Sequence, residues 1–392
     1  MKPVPEGILF PTMMLGFTLA RRPYEVTVEP QGLPPVTAFG ATTGYQHPER
    51  IETVLEQVIG SARFFQDRFE RRIESPELLV TLIPALHGQA FDGFLHLGDV
   101  LSASYLPDPV RDKVLAHEVA HQWWGHRAPW ASYRDQWLSE ALAEYSALLY
   151  LEAESEKGGR SLQQALDAYT NELLGSFESS FNPFGSQVVV DLMRKGAHRI
   201  GPIGHGYRAR TVETPTAYRT MSYRKGALVL HMIRMRLRLA TGDDGTFFEL
   251  LAELAAKPPS QGLTTTDLAQ RLERRLPEDD WRRFFDQWVY GTEIPSYRWD
   301  AQLVGSDEAP ALRLSLEQLD ASPDFAVVLP LRVRFTDDRE QNLFVRSAGR
   351  LEEIEFRLDA TPTSIELNPD HAVLARMIGR SRRSGTLLDD SR

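Results

Sequence analysis

The 392-residue sequence predicts an α+β protein on three observations. Short runs rich in Val, Leu and Ile come first, among them Tyr24–Val28 and Leu78–Ile83, and they read as strands. Apolar residues at helical spacing then dominate from about 108 to 290. Past a turn-rich stretch at Gly291–Pro295 the pattern returns to strands alone, separated by turn residues at short intervals. The chain is thus expected to hold a larger domain over 1–292, with a strand-containing lobe over about 1–107 and a helical lobe over about 108–292. A β-sandwich over 296–375 and a flexible tail over 376–392, where Gly, Ser, Arg and Asp prevail, complete it.

Taken in order, a run at Ile8–Leu19 is broken by Pro11, and Val36–Ala41 follows Tyr24–Val28 as a second short strand. From Pro48 to about Arg72, Ile51, Val54, Leu55, Val58, Ile59, Ala62 and Phe65 keep the spacing of one helix face. Leu78–Ile83 is apolar throughout, as in a buried strand. Gly88–Leu97 reads as one further strand before the helix that starts at Asp108, a favourable cap, and Pro109. Helical spacing recurs in Glu140–Leu151, Leu162–Leu174 and Tyr223–Leu239, with a loop at Phe177–Gly185. Further helices are expected after Thr264 and, capped by Asp279 or Asp280, over Trp281–Tyr290. Strands are expected at Tyr297–Val304, Ala311–Leu316, Phe325–Phe335, Asn342–Val345, Leu351–Leu358 and Ser364–Leu367.

Composition excludes several functions. The net charge of −10 comes with no basic block, which argues against nucleic acid as a partner. With no Cys there is neither thiol catalysis nor disulfide stapling. No apolar run approaches the ~20 residues of a membrane span. The N-terminus makes a poor secretory signal, so a cytoplasmic location is the default expectation. Oligomeric state is not legible.

Chemistry concentrates at His117-Glu118-Val119-Ala120-His121. Two histidines four apart share a helix face, a separation from which two imidazoles reach one zinc ion. Glu118 then lies beside them to take a proton from zinc-bound water. With 10 His in the chain, chance predicts this pattern on the order of a few hundredths of a time. A catalytic zinc needs a third protein ligand. His126 and Gly125 are each one position off the register of the longer three-histidine motif, so His126 is not expected to be a ligand. Glu140, opening the next helix, is the alternative. Glu144, one turn on, could accept a hydrogen bond from a ligand His, or be a plain surface Glu. The basic run Arg234, Arg236, Arg238 reads as a solvated helix face, as do His205 and His231; His87 and His96 read as structural or rim residues.

The run His-Glu-x-x-His-Gln-Trp-Trp-Gly, with Trp137-Leu138-Ser139-Glu140 placing Glu140 nineteen positions after His121, resembles the aminopeptidase N (membrane alanyl aminopeptidase-like) family of gluzincin zinc metallopeptidases. Met221-Ser222-Tyr223-Arg224-Lys225-Gly226-Ala227 is similar to that family's Tyr-x-Lys-Gly-Ala segment, and Gly201-Pro202-Ile203 and Gly206-Tyr207-Arg208 also look familial. The resemblance implies a thermolysin-like catalytic domain followed by a small β-sandwich, and one Zn2+ per chain. It implies His117, His121 and Glu140 as ligands, Glu118 as general base, and Tyr223 as the hydroxyl that stabilises the transition state.

The chain also departs from the family. Typical members carry Gly-Ala-Met-Glu-Asn where this one has Gly88-Gln89-Ala90-Phe91-Asp92, expected to be the substrate-binding stretch. Phe91 or Ala90 falls where the amine-binding Glu belongs, and Asp92 is the acid nearby. The family's usual N-terminal β-sandwich is not expected within these 392 residues either. The expected function is zinc-dependent peptide hydrolysis, foremost as an aminopeptidase. An endo- or oligopeptidase, or a non-catalytic peptide-binding module with a structural zinc, are the alternatives.

Overall fold

The computed structural model describes residues 23–41, 48–83, 88–98, 108–154, 160–175, 196–256, 258–306, 309–383 and 386–387. The sequence readings at Ile8–Leu19, His87 and Phe177–Gly185 lie outside them. Helices and sheets are both present, so the protein is α+β. It divides into two compact units whose borders differ from the expected domain limits. One comprises Met1–Ser132, Leu138–Ser161 and Phe248–Thr264; the other comprises Tyr133–Trp137, Leu162–Phe247 and Thr265–Arg392.

The first unit holds strands β1 (Pro23–Val28), β2 (Val36–Ala41), β3 (Leu78–Ile83), β4 (Gln89–Phe91) and β5 (Phe94–Gly98) in one sheet of order β1-β2-β3-β5-β4. β2, β3 and β5 run parallel, and β1 and β4 close the sheet antiparallel on either side. The single strand expected over Gly88–Leu97 is therefore a hairpin. The reason is local: Asp92-Gly93 is a turn pair, and Gly93 adopts φ 68°, which glycine reaches without strain.

Helix α1 (Pro48–Arg68) buries Ile51, Val54, Leu55, Val58, Ala62 and Phe65, the apolar stripe read from the sequence, and packs against α2 (Asp108–Ala120). An aromatic cluster anchors the end of α2. Trp123 meets Phe65 and Phe69 edge-on at 5.9 and 5.7 Å, and Trp124 meets Phe69 at 4.9 Å. Both indole N–H groups are used, Trp123 on the Arg71 carbonyl (3.0 Å) and Trp124 on Ser146 Oγ (3.0 Å). Helix α3 (Trp137–Glu154) is the centre of the unit: from Leu138 to Tyr150 every residue is buried except Glu140.

The second unit holds α4 (Arg160–Leu174), the short 3-10 helices Ala197–Ile200 and Ile203–Ala209, and a π-helical turn, Thr220–Lys225, that runs into α5 (Gly226–Thr241). α6 (Gly245–Ala256) begins here and from Phe248 belongs to the first unit; α7 (Thr265–Arg275) and α8 (Trp281–Trp288) belong to the second, α8 capped by Asp280, whose Oδ1 accepts from the Arg283 amide at 2.9 Å. Two expectations on α5 are corrected. Arg234 is buried on Asp244 (2.6 Å), and His231 is buried with Nε2 on the Asp370 carbonyl (2.7 Å); neither belongs to a solvated face. α5 is buried on all sides from Gly226 to Met235, so its polar residues need protein partners.

Past the helices come β6 (Ser296–Ser306), β7 (Ala309–Leu319), β8 (Val327–Arg334), β9 (Glu340–Ser347), β10 (Leu351–Arg357) and β11 (Ser364–Leu367). The expected tail is also corrected. Arg376–Arg383 forms β12, parallel to β6, and Thr386–Leu387 pairs with it as β13. The result is a five-stranded sheet, β10-β7-β6-β12-β13, and a three-stranded one, β11-β8-β9. Ser347 Oγ on β9 donates to Gln318 Oε1 on β7 (2.9 Å), joining the two.

Candidate active site

Two stripes at one-turn spacing face each other across α2 and α3. Lys113, His117 and His121 project from the first, Glu140 and Glu144 from the second, and the contacts alternate as the helices run antiparallel. Lys113 Nζ lies 2.6 Å from Glu144 Oε1, and Glu144 Oε2 lies 3.0 Å from His117 Nδ1. His117 Nε2 is 3.7 Å and His121 Nε2 3.3 Å from Glu140 Oε2, and the two Nε2 atoms are 3.2 Å apart.

Each imidazole is held by its other nitrogen. His117 Nδ1 is on Glu144, and His121 Nδ1 is 2.8 Å from the Trp124 carbonyl, which also accepts from Ser139 Oγ at 3.1 Å. Nδ1–H donation fixes the tautomer and leaves both Nε2 lone pairs directed at Glu140. A tetrahedral ion with ligands at ~2.05 Å needs donor atoms about 3.3 Å apart. The three observed separations, 3.2, 3.3 and 3.7 Å, bracket that value, so the donor set suits a zinc-sized cation. Among the described residues, His117, His121 and Glu140 are the group with metal-ligand convergence.

The electrostatics point the same way. Burial opposes a charge on His117, yet hydrogen bonds to Glu140 and Glu144 and the charges of Glu144 and Glu118 outweigh it, and without a metal its pKa is pushed up to about 10. Glu140, despite burial, is held far below the ordinary carboxylate range by His117 and His121. Glu144 is held low by Lys113 and His117 against the same burial. In the metal-free protein the two carboxylates are thus held ionised and His117 holds a proton.

Glu118 is 7% exposed, and its carboxyl group packs on Gly88. A Cβ built at Gly88 would lie 2.5–2.6 Å from Glu118 Cγ, Cδ and Oε1, so any larger residue there would displace the Glu118 carboxyl group. The rest of the expected substrate-binding stretch divides. Gln89, Ala90 and Phe91 form the edge strand β4, while Asp92 is exposed in the turn, its pKa raised by partial burial and by Glu74. Phe91 sits in an aromatic patch with Phe94 (6.0 Å) and His96 (5.1 Å). Gln122, inside the motif, secures the hairpin by accepting from the Gly93 amide (2.8 Å) and donating to the Phe91 carbonyl (2.9 Å). His126 bonds the Ala90 backbone and is held neutral, its pKa lowered to about 4 by burial and by His121.

Tyr223 belongs to the second unit. It lies on the π-helical turn, half-buried, with its ring edge-on to Tyr218 at 6.0 Å. Buried Glu172 accepts from Thr220 Oγ1 (2.7 Å) and pairs with Arg224, fixing this turn on both sides of Tyr223. The neighbouring Lys225 is fully buried, its Nζ donates to the Gly291 carbonyl (3.1 Å), and burial pushes its pKa down to about 7.

Sequence reasoning missed Lys113, Gln122 and the Trp124 carbonyl. Lys113 had a usable signal: it stands one turn before His117 just as Glu144 stands one turn after Glu140.

An H-E-x-x-H helix crossed by a Glu from the next helix defines the gluzincin class of metallopeptidases. Residues 97–288 match the peptidase family M1 domain, and the chain is related to the M1 aminopeptidases. It is similar to endoplasmic reticulum aminopeptidase 2 of Bos taurus, at 26% identity over 189 residues, 46% of this chain and 18% of that protein. The same protein of Homo sapiens is 29% identical over 127 residues, 31% of this chain and 10% of that one. The matches therefore span less than a fifth of these relatives' length.

Proposed function

We propose that this chain is a zinc-dependent metallopeptidase that removes residues from the N-terminus of peptides. The observation that carries it is the convergence of His117, His121 and Glu140 at tetrahedral separations, with Glu118 on the same helix. In this reading the three residues hold one Zn2+, and Glu144 orients His117. The bound ion supplies Lewis acidity, making water acidic near neutral pH and polarising a peptide carbonyl. Glu118 takes the proton of the attacking water and passes it to the departing amine. Its near-complete burial keeps that proton from bulk water during transfer. The Tyr223 hydroxyl donates to the developing oxyanion. β4, at the edge of its sheet, aligns the substrate as an added strand. We also take the fold to be thermolysin-like, with the β6–β13 sheets as its small sandwich.

The aminopeptidase relatives favour exopeptidase action. One observation favours an endo- or oligopeptidase instead: of Phe91 and Ala90, either of which can fall at the amine-binding position, neither carries a charge, and Phe91 is packed in an aromatic patch. An ammonium group there would lose water without gaining a charged partner. Metal analysis combined with a paired assay on free and N-acetylated peptides tests the proposal. Stoichiometric zinc and cleavage restricted to unblocked peptides are expected. Equal cleavage of both would establish the endopeptidase reading, and zinc without cleavage of either would leave a binding module.

A further inference from the structure

We propose that Lys113 is a positioning residue for the metal site, acting through Glu144; this rests on the zinc reading above. The Glu144 carboxylate is engaged at both oxygens, Oε1 by the Lys113 ammonium at 2.6 Å and Oε2 by His117 Nδ1 at 3.0 Å. A carboxylate held at one oxygen can still turn about its Cγ–Cδ bond. Held at both, it presents a fixed acceptor, and the imidazole it bonds is fixed with it. The side chain of Glu144 is 6% exposed, so its charge needs a partner in the protein. When His117 binds a metal it does so as a neutral ring. The charge facing Glu144 then comes from Lys113.

Lys113 stands at the mouth of the ladder with a quarter of its side chain exposed, while Glu144 is inside. The lysine thus closes the row of contacts Lys113–Glu144–His117–Glu140–His121 at its open end.

The sign of the effect separates positioning from simple proximity. A bystander cation near a divalent ion repels it, so removing that cation would tighten zinc binding. Loss of a positioning group weakens it, typically by about 10–100-fold for groups that orient metal ligands. Zinc affinities by chelator competition on the full chain test this, for wild type, Lys113→Met, Lys113→Gln, Lys113→Arg, Glu144→Gln and the Lys113→Met/Glu144→Gln double variant. Lys113→Met and Lys113→Gln should each bind zinc about tenfold more weakly, and Lys113→Arg should recover most of that loss. In the Glu144→Gln background, Lys113→Met should change affinity by less than about twofold, because its effect passes through Glu144. Melting of the metal-free proteins reports any purely structural role, which would leave zinc affinity unmoved. Unchanged or tighter zinc binding in both Lys113→Met and Lys113→Gln overturns the assignment, and so does an equal loss with and without Glu144. Wild-type protein that takes up no zinc overturns the parent reading as well.

Discussion

Two ionic clusters, a half-buried one in the second unit and a buried one in the first, use similar residues to opposite ends. In the second unit Arg234 and Arg238 converge on Asp244 from successive turns of α5, at 2.6 Å to Oδ2 and 2.7 Å to Oδ1. Every contact there joins an N–H donor to a carboxylate oxygen, and the Asp244 pKa falls to about 2, burial notwithstanding, under its two guanidinium partners. In the first unit Nε2 of His117, Nε2 of His121 and Oε2 of Glu140 point at one another. Once His117 gives up its proton, three atoms with lone pairs share a space that a cation would fill. Buried charge alone therefore does not mark a functional site; the direction of the lone pairs does.

The contrast can be broken most forcefully at Glu118. Glu118→Gln preserves shape and should retain zinc while turnover falls by about 10²–10⁴-fold; metal content and kcat measured on one preparation check this, and near-normal turnover would remove Glu118 from the role of base. Next in size, Asp244→Asn leaves two guanidinium groups facing a neutral amide. It should lower stability by roughly 1–2 kcal/mol in urea titrations, less than for a fully buried pair because solvent screens this one. Zinc affinity should not change, since the cluster is structural; a large change would erase the distinction between the two sites.

The smallest effects are those of pH, and they have opposite signs in the two units. His117 in the metal-free protein has its pKa raised from 6.5 to about 10, so it is protonated at pH 7–9 and must lose that proton to bind zinc. Calorimetry in buffers of different ionisation enthalpy should find about one proton released by His117 per zinc in this range. The stability His117 lends the metal-free fold is complete below pH 6.5 and disappears as pH rises through 10. His231 is the reverse case, lowered from 6.5 to about 3 by burial. Its contribution is present above pH 6.5 and lost as pH falls toward 3, so His231→Gln should flatten acid unfolding in that window whether or not zinc is bound.

Much of this was legible because it is local. The spacing of His117, Glu118 and His121 fixes a helix face whatever the rest of the chain does, and Glu140 and Glu144 repeat that spacing on the next helix. The strands from β6 to β11 were equally readable from alternation and turns. Partners remote in sequence were not. β12 is a polar stretch that becomes a strand only because β6, about eighty residues earlier, offers a parallel edge. Arg234 and His231 looked like solvated positions because nothing in α5 itself reveals Asp244 or the Asp370 carbonyl. Lys113 was missed for a related reason: its meaning depends on two helices being antiparallel and in register, which spacing within either one does not disclose.

The contact between Gly88 and Glu118 reaches beyond local packing. Gly88 leads directly into β4, the strand expected to bear a peptide, and a Cβ at this position would meet the side chain expected to accept its proton. A side chain added at position 88 would have to push the Glu118 carboxyl group aside, so a substitution there would reach Glu118 without replacing it.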